Sequence, residues 1–477
     1  MTGVELFSDE AIKARSRISP HLSKSRCSIV TSDFFEFAEA DIQKGNLYDV
    51  VIGNPPFVRY QDFPEEQRQQ AFGLMRHLGL NPSRMANAWL PFLAICCGLL
   101  KDQGRLAMVI PAELFQVGYA AEVRKFLSEF FFQINIVTFK KLVFQDIQQE
   151  VVLILADRAK TRTRGIRVHE VDDATMLGDI DLVRLSKSPI KPVDHASEKW
   201  TKYFLDKSEI MLLREMRERA DIPLLHNFID IDVGVVTGAN DYFLLDIEER
   251  KARGLEDCTI PVVGRSAALA GTLFTEENFN EWANSGKKAH LFRPSLPLST
   301  AAKKYIKFGE QEGVSEGYKC RIRREWYAVP SLWSSDFFFL RQADSAPRLV
   351  ANSTSAICTD TLHRGRLTGA APKELLASAF QNSLTFAASE VTGRSYGGGV
   401  MTFEPSEVEK LPLPILGAEN LDVAYVDQLV RARDTQAVLK YVDQCVLIEG
   451  LGVSQSDVER LQKIWTKLRD RRRGRKK

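Results

Sequence analysis

Residues 49–60 read DVVIGNPPFVRY, a short apolar run followed by a proline-rich tetrapeptide. The run from Asp49 to Ile52 predicts a buried β-strand that ends at Gly53. Asn54-Pro55-Pro56-Phe57 then follows the carboxyl end of that strand. Because ligands bind at the carboxyl ends of the strands in open α/β sheets, this tetrapeptide is a candidate functional site. A rigid proline turn beside a core phenylalanine is the alternative without a function.

Strand-like and helix-like segments alternate around this motif through residues 1–160. The predicted strands are Val4–Leu6, Ser28–Thr31, Asp49–Ile52, Arg105–Ile110, Ile134–Phe139 and Glu150–Leu155. The predicted helices are Asp9–Ile18, Asn87–Leu100 and Glu122–Phe131. Such alternation predicts an α/β domain with a mainly parallel sheet and helices on both faces.

The pattern changes after residue 160. Residues 161–200 are rich in charges, Ser and Thr and predict a connection, whereas residues 201–416 show short strands and many Gly and Pro turns. Residues 417–477 predict a helical segment with a basic tail. The apolar stripe of its last helix, after an N-cap at Ser454 or Ser456, consists of Val458, Leu461, Trp465 and Leu468.

Composition limits the protein classes that need to be considered. The 477 residues are 44% apolar and 26% charged, which is close to the average of globular proteins and excludes a disordered chain, a collagen or a coiled-coil rod. No apolar run approaches the roughly 20 residues that span a bilayer, so no membrane partner is expected. Seven cysteines without a Cys-x-x-Cys pair favour a reducing compartment, the cytoplasm, and seven scattered histidines predict no metal site.

The chain ends in a basic segment. Residues 467–477 read KLRDRRRGRKK, although the net charge of the whole chain is only +2. Such a tail suggests a polyanionic partner. A solvated, frayed terminus explains it equally well, and the sequence leaves both interpretations open.

The tetrapeptide suits a reaction on an aromatic amine, which is a weak nucleophile because its lone pair is delocalised into the ring. Two acceptors aimed at the amine hydrogens favour the geometry and charge that develop during attack. The Asn54 side-chain carbonyl and the Pro55 main-chain carbonyl can supply them, and the two prolines hold both in place. The Phe57 ring can stack on a base that has left its helix.

With these features the sequence resembles the adenine-N6 DNA methyltransferases of the TaqI-like group, including the methylase half of type IIG restriction–modification enzymes. Those proteins carry Asn-Pro-Pro-Tyr or Asn-Pro-Pro-Phe after a strand. The resemblance implies S-adenosylmethionine as cofactor and a flipped adenine in double-stranded DNA as substrate. It also implies a Rossmann-like class I methyltransferase sheet in residues 1–160, and a mixed α/β target-recognition domain in residues 201–416 ahead of the helical segment.

The resemblance assigns roles to further residues of the first domain. Glu5 would bind the ribose hydroxyls of the cofactor, and Asp33 its adenine, with Phe34 beside it. Phe92 would lie against the cofactor ring, and Phe144 would be the second aromatic side chain that sandwiches the flipped adenine. Strand-end and core positions are the alternatives for these residues.

The second half resembles the DNA-reading region of the same family. Asn240 lies in a Gly-, Thr- and Asn-containing segment, Arg323 and Arg324 precede Trp326, and Arg394 begins RSYGGG. Arg and Asn side chains on irregular loops suit contacts with phosphates and base edges, so these four residues are the predicted DNA contacts. A surface charge is the alternative for each arginine.

One family element is expected to lie upstream of Met1. In the family, a strand and a glycine-rich loop that hold the methionine part of the cofactor precede the motif that here begins at Gly3. We therefore expect an N-terminally incomplete sheet. A start assigned too late, a gene fragment and a split enzyme are the three explanations. In the last case a separate N-terminal polypeptide, or a restriction subunit, would be a partner.

Three functions follow from these observations. The first is an adenine-specific DNA methyltransferase of a restriction–modification system. The second is a catalytically impaired subunit that acts as a DNA-binding specificity module. The third is a protein-glutamine or RNA methyltransferase, because such enzymes share the tetrapeptide. The large second half and the basic tail favour DNA over the third.

Overall fold

The computed structural model describes residues 1–21, 26–141, 143–144, 149–160, 163–179, 187–193, 199–396 and 398–474. The chain divides into one unit that spans Met1–Asp206 and a second that begins at Lys207. Within the described ranges, no helix has both the length and the apolar character needed to cross a membrane.

The first unit contains two sheets flanked by helices. Its strands are β1 (Thr2–Glu5), β2 (Ser28–Thr31), β3 (Tyr48–Gly53), β4 (Leu100–Pro111), β5 (Gln133–Phe139), β6 (Val151–Asp157) and β7 (Gly165–Val171). Its α-helices are α1 (Ser8–Ile18), α2 (Phe34–Gln43), α3 (Glu65–His77), α4 (Trp89–Gly98) and α5 (Ala121–Phe130). Strands β1 and β2 form a parallel pair, and the other five lie in the order β3-β4-β6-β5-β7.

The strand directions confirm a Rossmann-like α/β fold of the class I methyltransferase type. Strand β3 is parallel to β4 and β5 is parallel to β7, whereas β6 is antiparallel to both of its neighbours. The connection from β5 to β6 consists of residues 140–150, which is too short for the crossover that parallel strands need. The chain therefore has to reverse direction there.

Two sequence-based expectations are wrong in this unit. Strand β3 was expected to be buried, but among the described strands it pairs only with β4, and its Val50 and Ile52 are 55% and 74% exposed. An apolar run predicts a strand without indicating how many neighbours it has. Residues 161–200, expected to be a connection, contain β7, whose charged residues conceal the strand pattern although it pairs with β5.

The second unit is built on three small sheets. Its strands are β8 (Ile229–Val233), β9 (Leu244–Leu245), β10 (Thr259–Val263), β11 (Leu273–Phe274), β12 (His290–Phe292), β13 (Phe337–Phe339), β14 (Gln342–Ala343), β15 (Leu349–Asn352), β16 (Ile357–Cys358), β17 (His363–Leu367), β18 (Arg394–Tyr396) and β19 (Val400–Thr402). They lie in the orders β16-β10-β12-β9, β11-β15-β13-β17-β8 and β14-β19-β18. This unit has the mixed α/β character expected for the second half.

Helices cover these sheets and dominate the end of the chain. The α-helices of the second unit span Lys207–Glu218, Asn240–Phe243, Ile247–Ala252, Glu276–Asn284, Thr300–Gln311, Tyr318–Arg321, Lys373–Ala379, Ser383–Thr392, Pro405–Val408, Val423–Arg431, Thr435–Val442 and Gln455–Arg473, and a π-helix spans Asp443–Gly450. The last helix begins after Ser454, whose hydroxyl accepts a hydrogen bond from the Asp457 amide at 3.1 Å. It buries the predicted stripe, which confirms that expectation.

The basic tail is part of the fold as far as Arg473. The Arg472 guanidinium donates to the Glu390 carboxylate at 3.0 and 2.7 Å, and the two side chains are only 5% and 3% exposed. Lys467 pairs with Glu209 at 2.7 Å. The frayed-terminus interpretation is therefore wrong for residues 467–473, and residues 475–477 lie outside the described ranges.

Candidate active site

The tetrapeptide lies where the sequence placed it, directly after the carboxyl end of β3 and beside the parallel strand β4. Asn54 is exposed, and its side chain forms no hydrogen bond with any residue in the described part of the chain. Pro55 is buried, Pro56 is exposed and Phe57 is half-buried. The Asn54 amide is therefore available to a ligand, while the buried Pro55 ring fixes the backbone next to it.

The segment after the tetrapeptide is tied to the beginning of α4. The Ala88 amide donates to the Val58 carbonyl at 2.9 Å, and the Tyr60 amide donates to Asn87 Oδ1 at 3.0 Å. Asn87 Nδ2 in turn donates to Glu113 at 3.1 Å. These bonds attach the loop to a rigid helix, which restricts the backbone that carries Asn54.

Glu113 is a site residue that the sequence analysis missed. It follows β4, and its Oε2 accepts hydrogen bonds from Asn87, from Trp89 Nε1 at 3.4 Å and from Tyr119 Oη at 2.7 Å. One carboxylate oxygen thus joins the loop after the tetrapeptide to α4 and to the segment after β4. The available sequence signal was an acidic residue two positions after Pro111, where β4 ends. The three hydrogen-bond donors to that residue come together only in the tertiary structure.

The two aromatic residues predicted to hold the target base contact the same apolar cluster. Phe57 and Phe144 both pack against the cluster that Val137, Phe139 and Val151 form at the end of β5 and the start of β6. Both rings are only partly buried. The structure thus places the Phe57 and Phe144 rings at one apolar cluster.

The two acids predicted to bind the cofactor lie at the carboxyl ends of β1 and β2. Glu5 lies beside Thr31 in the register of this parallel pair, and its Oε1 accepts from the Phe7 amide at 3.2 Å. Asp33 caps α2, since its Oδ1 accepts from the Phe35 amide at 2.7 Å. Its Oδ2 accepts from Gln67 Nε2 at 2.8 Å, a contact that the sequence did not predict.

The two aromatic residues predicted to lie beside the cofactor contact each other. The Phe34 and Phe92 rings are stacked, with centroids 4.6 Å apart and planes at 16°. Phe92 also lies 4.7 Å from the buried Phe35. Because Phe34 follows Asp33, the stack forms a flat apolar surface next to a carboxylate, which suits a purine that carries an amino group.

The arginines of the second unit that are predicted to contact DNA differ in their exposure. Arg323 donates to the Val236 and Thr237 carbonyls at 2.9 and 2.7 Å, and burial lowers its pKa. It thereby stabilises the loop that leads to Asn240, whose Oδ1 accepts from the Thr237 hydroxyl at 2.5 Å. Arg324 is exposed. Its predicted DNA contact, and those of Arg323 and Asn240, stay predictions.

Arg394 is held by two carboxylates. Its Nε lies 2.9 Å from Glu407, and its Nη1 lies 3.5 Å from Glu404. This pairing neutralises much of the positive charge with which Arg394 would attract a phosphate. The DNA contact predicted for Arg394 therefore also stays a prediction. In the described ranges, no three His, Cys, Asp or Glu side chains are grouped as a metal site.

The sequence matches two family models. The model of the Eco57I restriction-modification methylase matches residues 6–144. The model of the C-terminal domain of the type II methyltransferase M.Eco57I matches residues 197–447, more than half of the chain. Together the two matches include the tetrapeptide, the predicted cofactor residues Asp33, Phe34 and Phe92, and the predicted DNA contacts, whereas Glu5 lies one residue before the first match.

Two curated relatives are similar along most of the chain. The type II methyltransferase M.AccI of Acinetobacter calcoaceticus is 22% identical over 405 residues, which cover 79% of this chain and 71% of the relative. The type II methyltransferase M.XamI of Xanthomonas campestris pv. amaranthicola is 24% identical over 438 residues, which cover 88% and 77%.

Two solved structures are similar at lower identity. The type IIG restriction endonuclease BpuSI aligns with 95% of this chain at 13% identity and a TM-score of 0.38. A nuclease-deletion mutant of the type ISP restriction-modification enzyme LlaGI aligns with 92% at 13% identity and a TM-score of 0.47. The chain spans 57% and 48% of the lengths of these proteins, respectively.

Proposed function

The chain belongs to the Eco57I-type restriction–modification methylase family, and from this premise we propose that it methylates N6 of an adenine flipped out of double-stranded DNA, using S-adenosylmethionine. The observation that carries the proposal is the exposed Asn54 amide at the carboxyl end of β3, which bonds to none of the described residues and lies near the cluster that Phe57 and Phe144 contact. An acceptor and two aromatic rings are what an extruded adenine requires.

In this mechanism the tetrapeptide activates the amine. Asn54 Oδ1 and the Pro55 carbonyl accept hydrogen bonds from the two N6 hydrogens, which localises the lone pair on nitrogen and stabilises the positive charge that develops. Phe57 and Phe144 bind the faces of the base and exclude water from it. When bound, S-adenosylmethionine would supply an electrophilic methyl group and leave as S-adenosylhomocysteine, while the methylated amine would release its extra proton to solvent.

The residues of the first unit fit this cofactor. Glu5 can accept hydrogen bonds from ribose hydroxyls, and Asp33 can accept one from the adenine amine. The Phe34–Phe92 stack offers an apolar surface for the adenine ring. Glu5 and Asp33 lie at the carboxyl ends of β1 and β2, which is where α/β sheets bind nucleotides.

We also propose that a strand from outside residues 1–477 pairs with β3 and supplies the methionine-binding loop. Tyr48 Oη bonds to Asp41 and to the Thr2 side chain, so β3 and β1 begin close together. In the described part of the chain no strand pairs with β3 on the side opposite β4, and the Val50 and Ile52 side chains are exposed on one face of β3. The separate N-terminal polypeptide considered from the sequence would occupy this edge.

Ile52→Lys tests this edge. An exposed apolar strand edge promotes association between chains, so the variant should remain monomeric at concentrations at which the wild type aggregates, as measured by light scattering. Its thermal midpoint should stay nearly unchanged because Ile52 is 74% exposed. The control Ile154→Lys, at a fully buried position, should unfold the protein. A large loss of stability in Ile52→Lys would show that the edge is already covered.

The function is tested by expressing the chain in cells that lack adenine methylation and sequencing their DNA for N6-methyladenine. Methylation at one short sequence supports the proposal, and methyl label on protein glutamine or RNA would replace it. The β3 edge that no described strand pairs with favours a second candidate, a DNA-binding specificity module without activity of its own. That module would bind duplex DNA, with an affinity that falls steeply as salt rises, but leave the DNA unmethylated.

Phe57→Ala should weaken capture of the flipped base by about 1–3 kcal/mol, because base–aromatic stacking is lost. Phe57→Tyr should be tolerated, since the ring is kept. The fluorescence of a base analogue at the target position reports the capture. Phe132→Ala is the control, because that ring is equally half-buried but lies at the amino end of β5. An unchanged signal in Phe57→Ala would contradict stacking.

A further inference from the structure

A cleft in the second unit lies over the antiparallel pair β8 and β17. Its volume is about 320 Å³, and it is lined by Asp230, Ile231, Asp232, Trp333 and Arg366. In the register of the two strands, Asp232 lies opposite Arg364 and Asp230 lies opposite Arg366. Ile229 and Ile231 are buried, so the four charged residues share the other face of the pair.

The first of these cross-strand pairs, Asp232 and Arg364, forms an ion pair that packs against Trp333. Arg364 is 3% exposed and donates to Asp232 at 2.7 Å and to the Ser331 carbonyl at 2.5 Å. Ser331 has a φ of +58°, an uncommon backbone conformation for a residue with a side chain. The Arg364 guanidinium also lies 4.2 Å from the Trp333 ring. These contacts hold Trp333 over the strand pair.

The second cross-strand pair, Asp230 and Arg366, forms no ion pair in the described part of the chain. Asp230 and Arg366 are exposed and directly opposite each other, a position in which opposite charges normally attract. Neither has an ion-pair partner within the ranges that the structure covers, because the Arg366 guanidinium lies over the Trp333 ring, 4.6 Å from its centre. An aromatic support restricts the motion of the guanidinium and leaves its N–H groups free. A fork of donors and a carboxylate acceptor therefore face the solvent side by side.

We propose that Arg366 and Asp230 together contact one G·C base pair of the DNA target, with Trp333 as the residue that positions the guanidinium. Guanine presents O6 and N7 in the major groove, which match the fork of an arginine, and its partner cytosine presents an N4 donor for a carboxylate. A two-stranded β-ribbon fits that groove, and β8 is the edge strand of its sheet. The inference rests on the proposed DNA substrate and specifies part of its sequence.

The test is selection of random-sequence duplexes by the full chain, followed by sequencing of the bound fraction. The wild type should prefer one base pair, G·C, at a position where Arg366→Lys loses about tenfold or more of the discrimination, because lysine keeps the charge but not the fork. The double variant Asp230→Arg with Arg366→Asp should prefer the reversed pair, C·G. Arg265→Ala, which removes an exposed arginine elsewhere, should leave the preference for that base pair unchanged.

The outcomes separate this inference from the proposed function. Sequence-selective binding that Arg366→Lys leaves unchanged would overturn the inference alone, and so would an equal loss for every sequence, which would indicate a phosphate contact. A wild type that binds no DNA would overturn the proposed function and this inference with it. Thermal melting of each variant checks its fold, and Arg366 is exposed, so the midpoints should agree with that of the wild type.

Discussion

Asn54→Ala should lower the rate of methyl transfer at least about a hundredfold and leave DNA affinity nearly unchanged, because the lost acceptor acts mainly in the transition state. Asn54 is exposed and has no hydrogen-bond partner among the described residues, so its replacement should not affect folding. Single-turnover transfer of labelled methyl groups to duplex DNA, by the form of the protein that is active, measures the effect.

Asn81→Ala provides the matched control, since Asn81 is an exposed asparagine of the same unit outside the tetrapeptide. Its transfer rate should equal that of the wild type. A turnover in Asn54→Ala within a few-fold of the wild type would remove Asn54 from the mechanism. An equal loss of DNA affinity and turnover would instead indicate that Asn54 contributes to binding alone.

Arg472→Ala should lower the free energy of unfolding by about 3–5 kcal/mol, because it leaves the Glu390 carboxylate buried without its partner. Burial already raises the pKa of Glu390, even though Arg472 favours its charged form. Arg472 also donates to the Asp344 carbonyl at 2.9 Å and to the Gly399 carbonyl, which would lose their donor. Denaturant unfolding followed by circular dichroism measures the loss.

Two further variants identify the cause. Arg473→Ala removes a neighbouring charge whose ion pair with Asp344 is 43% and 49% exposed, and should cost no more than about 1 kcal/mol. Arg472→Met combined with Glu390→Leu removes both buried charges and should regain much of the loss. Equal stabilities of Arg472→Ala and Arg473→Ala would show that the buried pair does not anchor the last helix.

The local features of the site could be predicted from the sequence. Asn54-Pro55-Pro56-Phe57 is contiguous, and the residues around it determine that a strand ends and a stiff loop begins. Asp33 follows a short apolar strand, and Ser454 precedes an apolar stripe, so both were recognisable as the ends of elements. The physical reason is that strand ends, proline conformations and helix caps depend on residues a few positions apart.

Contacts between distant segments could not be predicted. Glu113 accepts hydrogen bonds from α4 and from the segment after β4, and Arg323 bonds to a loop residue 87 positions earlier in the chain.

The sequence alone determined the α/β class of the first unit, the tetrapeptide at the end of β3, and the helical end of the chain. Only the tertiary structure decided that β3 pairs with β4 alone among the described strands, that Arg472 is buried against Glu390, and that Arg366 lies on Trp333 instead of pairing with Asp230. Burial and ion pairing depend on which segments meet in space, and residue order does not specify this when each local pattern is compatible with several neighbours.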